Sequence, residues 1–140
     1  PIPLYINSPG GDVDAGFAIF DMARFVGCPV RCISTGLTAS AAVVVLLAAP
    51  KKLRFSLPNS RFLMHQPSTG VRGSTADIRI EANEILKIRQ KINELISEET
   101  GQPVEKVEKD TRRNYWINAD EALEYGLISK ILVSKSDVKD

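Results

Sequence analysis

Leu4-Tyr5-Ile6-Asn7-Ser8-Pro9-Gly10-Gly11-Asp12-Val13-Asp14-Ala15-Gly16 is the stretch from which the rest of the chain can be read. Leu4, Tyr5 and Ile6 have strand composition, and Asn7-Ser8-Pro9-Gly10-Gly11 is turn chemistry, with glycines free to take positive φ and to let a second backbone come close. Helical spacing resumes at Ala15, with Phe17, Ala18, Ile19, Met22, Ala23 and Phe25 as the apolar positions. The local order is therefore strand, Gly-Gly loop, helix. Such a loop can aim backbone N–H groups at an anion, or it can be an ordinary turn. It matches neither G-x-G-x-x-G nor the phosphate loop with its Gly-Lys-Ser/Thr, so nucleotide binding gains no support.

Downstream, Gly36-Leu37-Thr38-Ala39-Ser40-Ala41-Ala42-Val43-Val44-Val45-Leu46-Leu47 sets one serine among small residues ahead of an apolar run. The Ala-rich flanks and the Pro50-Lys51-Lys52 stop predict a short buried helix beginning near Ser40. A serine there has two readings. It can cap the helix through its hydroxyl, or it can be a nucleophile whose developing oxyanion is met by the first backbone N–H groups, which have no intrahelical acceptor.

The chain has a single histidine, His65. Imidazole, with an ordinary pKa of about 6.5, takes and returns a proton near neutral pH without help from its surroundings. Any imidazole acid/base chemistry therefore passes through His65, although a lone histidine also serves as a plain packing residue.

Past His65, Ser68 to Thr75 is turn-rich, and a long helical stretch runs to about Thr100, with Ser74 and Asp77 as a capping signature and Gly101 then Pro103 as the stop. Ile78, Ala82, Ile85, Leu86, Ile88, Ile92, Leu95 and Ile96 cover about half of its circumference at 100° per residue, with Ile80 opposite. A stripe that broad fits either deep packing within the domain or packing against another subunit. A further helix is expected over roughly Val104 to Arg112, where Asp110 is one charged residue among several.

Composition sets outer limits. A chain of 140 residues is expected to form one domain. Its 18 basic and 17 acidic residues provide no field for nucleic acid, and Lys51, Lys52 and Arg54 read as an ordinary basic loop. Cys28 and Cys32 match no metal or redox spacing, so no metal site is expected and a reducing compartment is. The longest apolar run falls well short of the roughly 20 residues that cross a bilayer, and no signal peptide is visible.

Four motifs then occur in order: Asn7-Ser8-Pro9-Gly10-Gly11, Ala39-Ser40, Pro58-Asn59-Ser60-Arg61-Phe62-Leu63-Met64-His65-Gln66-Pro67, and Glu108-Lys109-Asp110-Thr111. Together with Glu121-Ala122-Leu123-Glu124-Tyr125-Gly126-Leu127-Ile128, they resemble the successive signatures of the ClpP family, the proteolytic subunits of the ATP-dependent Clp protease. The resemblance runs essentially end to end. It implies an α/β fold of the ClpP/crotonase type, a spiral of β-β-α units, with a protruding handle helix at about 75–100 in a single peptidase domain over 1–140. Carried across position by position, it makes Ser40 the nucleophile, His65 the general base and Asp110 the orienting carboxylate. The backbone N–H groups of Gly11 and Ala41 become the oxyanion hole, and extended substrate lies along Gly11, Asp12 and Val13. Members usually carry Ala-Ala-Ser-Met here, whereas this chain reads Thr38-Ala39-Ser40-Ala41-Ala42, which keeps the N–H but alters the pocket wall.

The resemblance further implies stacked heptameric rings forming a tetradecamer, unfolded proteins as substrates, and an AAA+ unfoldase as partner. ATP is then spent by that partner, with no cofactor in this chain, and the location is the cytoplasm or an organelle matrix or stroma. Pro1-Ile2-Pro3 opens directly against a strand, so a preceding segment is expected, and the resemblance implies that it carries a pore-lining loop. Two other readings stand beside the peptidase: a non-catalytic ring subunit, and a crotonase-type acyl-CoA enzyme built on the same spiral.

Overall fold

A computed structural model describes residues 1–65, 67 and 70–139. Strand β1, Ile2–Ser8, leads through the Gly-Gly loop into helix α1, Val13–Phe25. The helix starts two residues before the periodicity suggests because Asp12 caps it, its carboxylate accepting from Ala15 N at 2.8 Å. Strand β2, Val30–Ala39, follows and is buried along most of its length. It runs parallel to β1, to β3 (Arg54–Ser56) and to β4 (Arg61–Met64). Its first half pairs with β3 over Cys32–Ser34 and its second half with β4 over Leu37–Ala39. The change of partner falls at Gly36, whose φ of 63° turns the strand while the Asn7 side chain accepts from Leu37 N at 3.1 Å.

Helix α2, Ala41–Leu46, is the predicted short helix after Ser40, and every residue in it is buried. It forms the centre of the core together with Leu47, Ala48 and Ala49. Helix α1 lies against it through Gly16, where a Cβ would come within 3.2 Å of the Ala41 Cβ. Arg24, in the last turn of α1, donates to the carbonyls of Leu47 and Ala48 at 3.1 and 3.3 Å, supplying partners that the end of a helix lacks.

Helix α3, Thr75–Thr100, is 26 residues long, about 39 Å. Its ends follow the sequence signals: Ser74 accepts from Asp77 N, and Gly101 closes it at φ 81°. Deep packing within the domain is not what its apolar stripe reflects. Only Asn93, Ile96 and Thr100 are buried, all in the carboxyl-terminal third, while Ile78, Ile80 and Leu86 stand 42, 58 and 56% exposed. Helix α4, Val104–Thr111, packs back on that third, with Thr111 donating to the Asn93 side chain at 3.1 Å. Strand β5, Tyr115–Asn118, pairs antiparallel with β4, α5 covers Ala119–Tyr125, and β6, Lys130–Ile131, closes the sheet parallel to β3.

Arg54 overturns the expectation of a basic loop. It opens β3, is fully buried, and binds Glu99 at the base of α3 through both the carboxylate (3.0 Å) and the carbonyl (3.1 Å). Arg24 holds the other Glu99 oxygen at 2.6 Å, so one carboxylate joins the handle-like helix to α1 and to the sheet. Among the described residues, no helix is long and apolar enough to cross a membrane. Cys28 and Cys32 are free thiols, one exposed and one buried.

Candidate active site

Ser40 stands at the junction of β2 and α2 with φ 58° and ψ −122°. It is the one non-glycine residue with positive φ among those described, a conformation that costs on the order of 1–3 kcal/mol. The surroundings enforce it. Ser40 N donates to Leu63 O at 2.9 Å, extending the β2–β4 ladder by one residue, and Val43 N donates to Ser40 O at 2.9 Å as the helix begins. The hydroxyl makes no capping bond to α2, which removes the N-cap reading. A sharp strand-to-helix turn of this kind lifts a serine Oγ clear of its own backbone.

The Gly-Gly loop closes over this turn. Gly10 (φ 92°) lies so near that a Cβ on it would meet Ala39 O at 2.6 Å and Ala41 N at 3.0 Å. Gly11 (φ 140°) faces open space, with nothing within 4 Å of where its Cβ would be. Of the neighbouring residues expected to meet substrate, Asp12 spends its carboxylate on capping α1 and Val13 is the first residue of that helix. Beside the loop lies a mainly apolar pocket of about 300 Å³, walled by Leu4, Ile6, Ile19, Ala41 and Val45 with Gly16 opening the α1 side.

His65 follows directly on β4. Because Ala39 is in register with Leu63, the strand pairing carries Ser40 and His65 to the same end of the sheet. Beyond His65 the Met-His-Gln-Pro motif is described only at Pro67, since Gln66 lies outside the described residues, as do Ser68 and Thr69 of the following loop.

Asp110 sits in the last turn of α4 with its side chain only 16% exposed, so it is not a solvated bystander. Lys106 donates to its Oδ2 at 2.6 Å, and the Tyr125 hydroxyl donates to the same oxygen at 3.0 Å. Tyr125 is buried, its ring packs against Tyr115 at 5.9 Å, and Lys106 lies 4.7 Å over it. Tyr115 in turn pairs with Met64, the residue before His65. Asp110 is thus tied, through Tyr125 and Tyr115, to the end of β4.

A family model described as Clp protease matches residues 1–135. The chain belongs to the Clp protease family. It is therefore a peptidase of the Clp type, and its fold is the one this family resemblance implied. ATP-dependent Clp protease proteolytic subunit 2 of Treponema denticola is 56% identical over 140 residues, covering all of this chain and 70% of that protein. Subunit 3 of Rhizobium etli is 50% identical over 137 residues, covering 98% of this chain and 71% of that protein. Among solved structures, a ClpP1 N165D mutant from Listeria monocytogenes superposes with a TM-score of 0.93 at 44% identity, covering 99% of this chain and 77% of that one. The long helix α3 corresponds to the handle helix expected of a Clp protease subunit.

Two features of this candidate site were not read from the sequence. Gly10, next to the residue expected to supply an N–H, is the glycine that touches Ser40. Its signal was the doubled glycine. Lys106 and Tyr125 around Asp110 were also missed. The Lys106–Asp110 pair was legible as an i,i+4 spacing on a predicted helix, but nothing local joins Tyr125 to Asp110.

Proposed function

We propose that the chain is a serine-type endopeptidase subunit that hydrolyses unfolded polypeptide by acyl transfer through Ser40. Ser40 Oγ attacks the peptide carbonyl carbon as His65 takes its proton, and the N–H groups of Gly11 and Ala41 receive the oxyanion. The resulting imidazolium, held by Asp110, returns the proton to the leaving amine. Water, deprotonated by His65, then attacks the acyl carbon, and His65 returns that proton to Ser40 Oγ as the acyl–oxygen bond breaks. The observation that carries this reading is the strained Ser40 turn, pinned by Leu63 O on the strand that the only histidine in the chain directly follows. Substrate lies extended beside the Gly-Gly loop with an apolar side chain in the pocket walled by Ala41.

The same reading assigns assembly into stacked heptameric rings. The exposed apolar residues Ile78, Ile80 and Leu86 on α3 support burial against another copy. An AAA+ unfoldase supplies unfolded chains and spends ATP, while this subunit needs no cofactor. A cytoplasmic setting is supported by the two free thiols.

The test combines labelling with mass. A fluorophosphonate is expected to label wild type at one site per subunit and Ser40→Ala not at all, in particles with the mass of a tetradecamer. Cleavage of a short fluorogenic peptide is expected to persist without ATP and in the presence of EDTA. Labelling or cleavage that survives Ser40→Ala refutes the nucleophile, and an unlabelled intact ring assigns the chain to a scaffold instead.

A further inference from the structure

We infer that Tyr125 is a positioning residue for peptide hydrolysis: its hydroxyl fixes the Asp110 carboxylate so that the remaining oxygen, Oδ1, can receive an imidazole N–H. The inference rests on the reading of Asp110 as the orienting acid of the triad. Both donors recorded on Asp110, Lys106 Nζ at 2.6 Å and Tyr125 OH at 3.0 Å, converge on Oδ2. A carboxylate gripped through one oxygen is fixed in rotation and presents the other in a set direction.

The two donors are unequal as positioning groups. The Lys106 side chain is 45% exposed and sits on a flexible stem, so it holds its partner weakly and in many geometries. Tyr125 is 6% exposed and built in from several sides. Its carbonyl accepts from Gln102 Nε2 at 3.1 Å, and its ring abuts Tyr115. Gly126, the residue after it, is packed so tightly under the end of α3 that a Cβ there would lie 2.5 Å from Thr100 O. The hydroxyl therefore projects from a fixed platform made by α3, α5 and β5. Burial, aided by the bond to Asp110, pushes its ionisation well above the ordinary range for tyrosine, so it remains a donor at any working pH. A buried tyrosine hydroxyl needs some partner; here the partner is the one carboxylate the mechanism uses.

Tyr125→Phe removes the hydroxyl and keeps the ring against Tyr115. The experiment measures kcat and KM for a short peptide, together with the rate of fluorophosphonate acylation, in wild type, Tyr125→Phe, Asp110→Ala and the double variant. All four are assayed at subunit concentrations where they have the same assembled mass. Tyr125→Phe is expected to lower kcat and the acylation rate about tenfold with KM unchanged. It is expected to add nothing in the Asp110→Ala background, because residues acting as one unit are not additive. Full activity in Tyr125→Phe beside a large loss in Asp110→Ala overturns the inference and leaves the Asp110 reading standing. Losses that add in the double variant overturn it in favour of a packing role. Undiminished activity in Asp110→Ala removes the reading of Asp110 and the inference with it.

Discussion

Gly10 and Ser40 are in such close contact that a Cβ on the glycine would stand 2.7 Å from the Ser40 Cβ. The loop carrying Gly11 and the turn carrying Ser40 are thus one packed unit, although 30 residues of chain separate the two contacting positions. Only a residue without a side chain permits this approach. Gly10→Ala is expected to push the loop off the turn, displacing Gly11 N–H and lowering kcat for a short peptide by about a hundredfold, with circular dichroism unchanged. Gly11→Ala meets no atom, but it strains a backbone held at φ 140°, so it too is expected to lose activity, without the clash. Full activity in Gly10→Ala would contradict the packing described.

The strain at Ser40 predicts a trade of stability against activity. Ser40→Gly, free to adopt φ 58° and ψ −122°, is expected to be inactive yet stabler than wild type by about 1 kcal/mol after the entropic cost of the added glycine. Ser40→Ala keeps a Cβ, hence the strain, and is expected to be inactive without that gain. Urea midpoints for the three proteins decide it; identical midpoints for the Gly and Ala variants would show that the turn stores no strain.

Glu99 holds the fully buried Arg54 guanidinium, whose ionisation burial pulls below its ordinary range while Glu99 opposes the fall. Removing the carboxylate alone leaves an uncompensated buried charge. Glu99→Ala is expected to cost about 3 kcal/mol, and Arg54→Met/Glu99→Leu, which removes both charges, distinctly less. Denaturant titration of both proteins reads the comparison, and a double variant as unstable as the single one would mean that packing rather than charge dominates here.

The two cysteines are expected to behave as opposites. Cys28 is exposed and open to a maleimide in the native protein; Cys32 is fully buried and its thiol is pushed up to about 11, chiefly by burial. Native protein should take up one label per chain and denatured protein two. The sign of the linkage follows from the raised ionisation. The folded state resists forming the thiolate, so Cys32's contribution is intact below pH 9 and is lost as pH climbs toward 11. Comparing the pH dependence of unfolding in wild type and Cys32→Ala isolates the effect, and parallel curves between pH 9 and 11 would refute it.

Much of the fold follows rules that act over a few residues. The Ser74 and Gly101 boundaries of α3 and the short helix after Ser40 came from such signals and stand where they were read. Capping also explains the small error at α1, since Asp12 draws the start back to Val13.

What sequence alone determined was therefore the identity of the residue types and the local elements that carry them: one histidine, a serine at the start of a short buried helix, and a Gly-Gly loop. Tertiary structure alone decided which distant groups meet. It buried Arg54 against Glu99, left the amino-terminal half of α3 exposed, set Gly10 on Ser40 and aimed Tyr125 at Asp110. The physical reason is range. Caps and helical periodicity are settled by neighbours three or four residues away, whereas a contact across the chain depends on how whole strands and helices pack, and no single segment encodes that.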